Sequence, residues 1–313
     1  MILVGGEALV DLVPAAQARP GELGQLRPLP GGGPYNVAIA VGRLDAPVRF
    51  LSRLSTDAFG DALLDRLRLS GVDTTMVQRG PEPTTLAIAG IGPDGSARYS
   101  FYVQGTADRE VRHPGPLPGD VEIVSLGTLS LALEPGATHY EQLLRDHAAN
   151  GRLTVLDPNI RTALVTPAYR DRFATWLPDI GLLKLSIEDA AWLADGDPHE
   201  AVRGWLAKGP AAVVLTRGAD GILVRTAAGD EVAVPVPATP PTTVVDTIGA
   251  GDTVHGALLC WLHNSGISTP DALREVNAEE WRKALDFAVR AAAVTVSRAG
   301  AEPPYAAELG VAP

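Results

Sequence analysis

The stretch Asp246-Thr247-Ile248-Gly249-Ala250-Gly251-Asp252, running straight into Thr253-Val254-His255-Gly256-Ala257-Leu258-Leu259-Cys260-Trp261-Leu262, decides how the rest of the chain is read. Gly249, Ala250 and Gly251 let backbone come close to a ligand, and the apolar run predicts a helix over about 252–263. The start of such a helix offers free N–H groups and the positive end of its dipole, which stabilise an anion without a lysine. Asp252 falls in the first turn, with its carboxylate able to face the same place. A helix cap following a glycine turn is the plainer reading of the same residues. A proline-rich stretch (235–241) and a short strand over 242–245 lead into it.

A second glycine run, Pro30-Gly31-Gly32-Gly33-Pro34-Tyr35-Asn36-Val37-Ala38, precedes another predicted helix, 36–44. Asn36, near its cap, supplies both a donor and an acceptor, which suits a sugar hydroxyl; a glycine linker into a capped helix is again the plainer alternative. Outward from these two segments, short apolar runs at 2–5, 48–51, 121–125, 153–156, 181–185 and 212–215 alternate with helical patterns at 58–69, 137–149, 187–194, 201–207 and 279–297. That alternation predicts an α/β fold: three layers, with a mainly parallel sheet between helices. Residues 9–29 read as loop-rich, and 84–106 as a hairpin turning at Pro93-Asp94-Gly95, the two together forming a small β lid. With no repeat or linker, residues 1–313 are expected to be a single domain.

Composition narrows the function classes. The 313 residues carry 37 acidic against 26 basic side chains, a net charge of −11, and no basic tract, which argues against a nucleic-acid partner. No apolar run approaches the roughly 18 residues of a membrane span, and the start, MILVGGEALVDLVP, lacks the basic region of a signal peptide. A cytoplasmic protein is therefore expected. The single cysteine, Cys260, rules out an internal disulfide. The lysines are Lys184, Lys208 and Lys283, and none precedes Ser or Thr, so a Walker-type phosphate loop is absent. The six histidines show no metal-ligand spacing; His255, three residues after Asp252, reads as a helix-packing residue. The Gly90-x-Gly92-x-x-Gly95 pattern sits on a turn with no following helix and is not a dinucleotide fingerprint.

Taken together, GGGPYNVA and DTIGAGDTVHGA resemble the two signatures of the ribokinase-like (phosphofructokinase-B type) carbohydrate kinases. STDAFG (55–60), LDPNIR (156–161), KLSIEDAAWL (184–193), LTRGADG (215–221) and SRAGAEPP (297–304) match in order. The resemblance runs from about residue 3 to 304 and implies ATP-dependent phosphorylation of a sugar, with Mg2+ and in some members K+. It implies Asp252 as catalytic base, with Gly249, Ala250 and Gly251 as the anion hole. Asp11, Gly32, Gly33 and Asn36 match sugar positions, Lys184 and Ser186 a phosphate-side segment, and Thr216, Gly218 and Gly221 the nucleotide loop. Asp246 and the Ile248 backbone match part of a monovalent-cation site. Where many members have Asn-x-x-Glu, this chain reads Ser186-Ile187-Glu188-Asp189.

The segments GEALVDLVP, GGGPYNVA and FYVQGTADR resemble those of bacterial fructokinases, so within the family fructose is the substrate the resemblance favours. The nearest alternative is 2-keto-3-deoxygluconate kinase, whose carboxylate substrate Arg98 or Arg161 could serve. Ribokinase and nucleoside kinase are further alternatives. A non-catalytic sensor would be expected to have lost Asp252 or the glycines. The apolar side of the 97–103 strand suggests a homodimer through the lid.

Overall fold

The chain is described here by a computed structural model covering residues 1–15, 23–91, 97–236 and 244–310. Its strands are β1 (Ile2–Gly5), β2 (Leu9–Pro14), β3 (Leu26–Gly31), β4 (Val48–Leu51), β5 (Arg53–Ser55), β6 (Gln78–Gly80) and β7 (Thr85–Ile91). They continue as β8 (Ala97–Tyr102), β9 (Ile123–Gly127), β10 (Leu153–Asp157), β11 (Leu182–Ser186), β12 (Ala212–Thr216), β13 (Ile222–Thr226) and β14 (Glu231–Val234). The helices are α1 (Gly33–Arg43), α2 (Ala58–Leu69), α3 (Gly136–Ala149), α4 (Ala168–Trp176), α5 (Ile187–Ala194), α6 (Pro198–Leu206), α7 (Ala250–Asn264), α8 (Pro270–Arg274), α9 (Ala278–Thr295) and α10 (Ala306–Leu309).

Eight strands form one sheet in the order β14-β13-β12-β11-β10-β9-β1-β4, parallel except at β13 and β14. Side chains alternate across it as the pleat requires. Ile2, Val4, Val155 and Val214 face a core shared with α1, α2, α7 and α9, where Tyr35, Leu63, Leu258 and Trp281 are buried. Leu3, Leu156, Leu183 and Leu215 face the other core, with Tyr140 of α3, Phe173 and Trp176 of α4, and Trp205 of α6. Burial on both faces explains why these strands read as continuous apolar runs. Among the described residues no helix is long and apolar enough to cross a membrane.

A separate sheet runs β3-β2-β7-β8, with β2 parallel to β7 and the outer pairs antiparallel. The expectation of loops over 9–29 is thus corrected: two strands lie there. β3 carries Pro28 and Pro30, which depress a sequence-based strand reading but are tolerated because β3 is an edge strand. The strand expected over 242–245 is not formed at Val244 and Val245. Residues 242–243 of that expected strand, part of the proline-rich lead-in (237–241) and the Pro93-Asp94-Gly95 turn lie outside the described residues.

Candidate active site

β1 is hydrogen-bonded to β4 on one side and β9 on the other, so the chain reverses its direction of travel across the sheet at β1. A crevice opens at the carboxyl ends of parallel strands at such a point. Here a cleft of about 570 Å³ lies there, between the main sheet and the four-stranded one. It is lined by Glu7 just after β1, Leu129 after β9, Asn159 to Arg161 after β10, Ser186 ending β11, Thr216 ending β12, and the start of α7. Tyr99 and Phe101 of β8 close it from the small sheet.

The two glycine segments meet across this cleft. Gly249 caps α7 with φ 76°, and a Cβ there would lie 2.6 Å from that of Ala301, so the turn accepts only glycine. The turn is held by Asp246, whose carboxylate accepts the amides of Ile248 (3.0 Å) and Gly300 (2.8 Å). The amides of Gly251 and Asp252 find no acceptor among the described residues, as an anion site at a helix start requires. From the other side, α1 brings Asn36, whose Nδ2 donates to Asp252 Oδ2 at 2.8 Å. Asn36 Oδ1 is then a buried acceptor with no partner among the described residues, suited to a hydroxyl of a bound molecule.

Glu7, buried and not anticipated from the sequence, fixes that helix start. It accepts from the Gly33 amide (3.3 Å), from the Thr128 hydroxyl, and from the Ser130 amide (3.2 Å) and hydroxyl (2.5 Å). Burial pushes its pKa up despite these donors. Thr128 and Asn159 hold positive φ angles of 55° and 37°, uncommon away from glycine, and both lie against Gly33.

Charge in the cleft is arranged in opposed pairs. Lys184 and Asp157 form a buried ion pair, Nζ to Oδ2 2.7 Å. The Lys184 ammonium and the nearby His255 bring Asp157 down to about 2, overcoming its burial. Asp252 is pushed up to about 6, mainly by burial, with Asn36 and Lys184 opposing. Asp11, facing Arg161 and Asp252, is also pushed up to about 6 by burial.

These shifts give a pH prediction. A base must be ionised, so kcat/KM should fall as pH drops through about 6, to which burial pushes both Asp252 and Asp11. A profile from pH 4.5 to 8 checks this; an acid limb centred near 4 would sink it.

Of the residues expected from the sequence, the cleft wall carries Asp11, Gly32, Gly33, Asn36, Arg161, Lys184, Ser186, Thr216, Ile248, Gly249, Gly251 and Asp252. Ala250 lies within the first turn of α7, and Asp246 braces that turn from behind. Gly218 and Gly221 sit on the short turn after β12, beyond the wall. The Arg98 side chain lies outside the described residues. Asp189 is committed to structure: its oxygens accept the amides of Ile160 (2.9 Å) and Ser186 (3.3 Å), tying the 157–161 loop to α5. Asp157 and Glu7, both buried beside the cleft, were not singled out individually from the sequence, although each ends or follows an apolar strand, which is the signal that could have found them.

The profile of the pfkB family carbohydrate kinases matches residues 1–307. A fructokinase of Rhizobium leguminosarum bv. trifolii is 35% identical over 291 residues, covering 91% of this chain and 87% of its own length. A fructokinase of Escherichia coli is 29% identical over 314 residues, covering 96% and 94%. The crystal structure of a fructokinase with bound ATP from Xylella fastidiosa is similar at a TM-score of 0.87 and 28% identity, covering 98% of this chain and 97% of that one. With both glycine signatures meeting in one cleft and the family profile spanning nearly the whole chain, this protein belongs to the pfkB family of carbohydrate kinases.

Proposed function

We propose that the chain is an ATP-dependent fructokinase that transfers the γ-phosphoryl group to the 6-hydroxyl of fructose. The observation that carries this reading is the buried Asp252 carboxylate, held by Asn36 at the amide-rich start of α7. Asp252 would orient the attacking hydroxyl and take its proton late, while the first-turn amides of α7, with Gly249 shaping the turn, meet charge spreading over the equatorial phosphoryl oxygens. Positioning outweighs basicity in so loose a transition state, so a carboxylate suffices.

The sugar would lie against Asp11, Gly32, Gly33 and Asn36. The nucleotide would follow the Ser186 and Thr216 wall towards Gly218 and Gly221. Mg2+ would arrive with the ATP phosphates and offset their charge. Glu188, on the cleft wall, would offer it a carboxylate, whereas that of Asp189 is taken up by backbone amides. No group of three or more His, Cys, Asp or Glu among the described residues is arranged for a metal. A K+ ion at Asp246 and Ile248 would therefore draw on carbonyl oxygens beside that carboxylate.

One observation favours a second reading. Arg161, held by Asn159 Oδ1 at 2.6 Å, acts on both Asp11 and Asp252, and so could serve the carboxylate of 2-keto-3-deoxygluconate. An ADP-release assay with fructose, that keto-acid, ribose and a nucleoside, with and without K+, decides between them. Fructose is expected to be turned over fastest; turnover of the keto-acid alone would overturn the assignment. Exposed Leu26 and Tyr102 on the small sheet support its reading as a lid that also pairs two copies of the chain. A monomeric mass in light scattering would remove the dimer.

A further inference from the structure

Beneath the Gly251 turn lies a buried chain of polar side chains that the site as described does not explain. His255 is on α7 one turn after Asp252 and is only 1% exposed. Its Nε2 is 2.7 Å from Ser125 Oγ on β9, and its Nδ1 is 3.4 Å from Asp157 Oδ2 on β10. That same Oδ2 accepts from Lys184 Nζ at 2.7 Å. The ammonium in turn lies against Gly251: a side chain placed on that glycine would reach to 3.4 Å of Nζ. The four groups therefore run from the middle of the sheet to the helix start where an anion is stabilised.

We propose that His255 is a positioning residue for phosphoryl transfer, acting through Asp157 to hold the Lys184 ammonium against the Gly251 turn. This rests on the kinase reading given above. The tautomer with its proton on Nδ1 suits both neighbours: Nδ1–H faces the Asp157 carboxylate, and Nε2 accepts the Ser125 hydroxyl proton. At 3.4 Å the contact with Asp157 is long for a hydrogen bond, and it acts chiefly through the Nδ1–H dipole of the neutral ring facing the carboxylate in a buried site. A hydrocarbon at position 255 would leave Asp157 with Lys184 alone. The carboxylate, whose Oδ1 has no partner among the described residues, could then rotate and carry the ammonium with it. Displacements of about 1 Å at a reacting group cost up to roughly 100-fold in rate.

The test compares His255→Asn, which keeps an N–H donor near the Nδ1 position, with His255→Val, which does not. The chain has three lysines, so their side-chain 15N ammonium signals are resolved residue by residue. The Lys184 signal is expected to persist in the wild type and His255→Asn, protected by burial and pairing, and to shift or vanish in His255→Val. In the same proteins kcat should drop roughly 10- to 100-fold for His255→Val and only about 3-fold for His255→Asn, with KM for the sugar little changed. The acid limb should move up in His255→Val, because Lys184 opposes the upward shift of Asp252. The other charged groups acting on Asp252 are Asp157, which would move together with Lys184, and Arg161, while Asp11 faces it across the cleft; neither variant replaces any of them.

Equal losses in both variants with an unchanged Lys184 signal and acid limb would reduce His255 to packing and overturn the proposal, as would wild-type rates in both. If the wild type phosphorylated no sugar, the kinase reading would fall, and the Lys184 signal would still judge the network by itself.

Discussion

Asp252→Asn is expected to lower kcat by about 10³-fold while leaving KM for the sugar within a few-fold. The side chain keeps its shape and its place beside Asn36 but loses the charge that aligns and deprotonates the hydroxyl. The substitution should also stabilise the fold at neutral pH. The folded-state pKa of Asp252 is raised to about 6, so its buried charge weakens the protein increasingly as pH rises from about 4 through 6. Asparagine removes that burden, giving a higher Tm at pH 7.5 and little change at pH 4. Kinetics with melting curves at both pH values check the pair of effects. Retained kcat, or a Tm lowered at pH 7.5, would remove Asp252 from the role given to it.

The second large effect is at Lys184. Lys184→Met leaves Asp157 buried without its cation, a change that costs about 3–5 kcal/mol in comparable buried pairs. For a chain of this size that corresponds to a Tm lower by roughly 5–8 °C. The double replacement Lys184→Met with Asp157→Leu removes both charges and should recover most of the lost stability. It should not recover activity, because the ammonium beside Gly251 is still missing. Calorimetry of the wild type, the single and the double variants reads out the stability, and kcat the function. A double variant as active as the wild type would show that Lys184 serves stability alone.

The main sheet was legible because its strands, covered on both faces, must be apolar throughout. The runs at 2–5 and 48–51 became β1 and β4 unchanged. Ends elsewhere moved by a residue or two, since β9, β10, β11 and β12 extend as far as their neighbours pair with them. The antiparallel β13 and β14 were missed: β14 alternates buried and exposed residues, and four residues give too short a pattern to stand out. Helix α4 was missed too, although Tyr169, Phe173 and Trp176 carry the spacing of a buried helical face.

In the site, local chemistry was readable and apposition was not. Glycines before a helix, with Asp252 in its first turn and Asn36 in the other, state their purpose in sequence. Nothing local tells that Asn36 would donate to Asp252, 216 positions away, or that Lys184 would face Asp157. His255 shows the same limit: a histidine on an apolar helix reads as packing until β9 and β10 place Ser125 and Asp157 beside it.

The central claim is transfer of a phosphoryl group from ATP to a sugar hydroxyl in the cleft between the two sheets, with Asp252 as base. The most direct measurement is 31P NMR of the protein incubated with MgATP and fructose. The account predicts ADP and an equal amount of a phosphate ester split by the two protons of C6, and neither product with Asp252→Asn over the same time. Persistence of ATP and fructose unchanged with the folded wild-type protein, or an ester formed equally fast by Asp252→Asn, would contradict it.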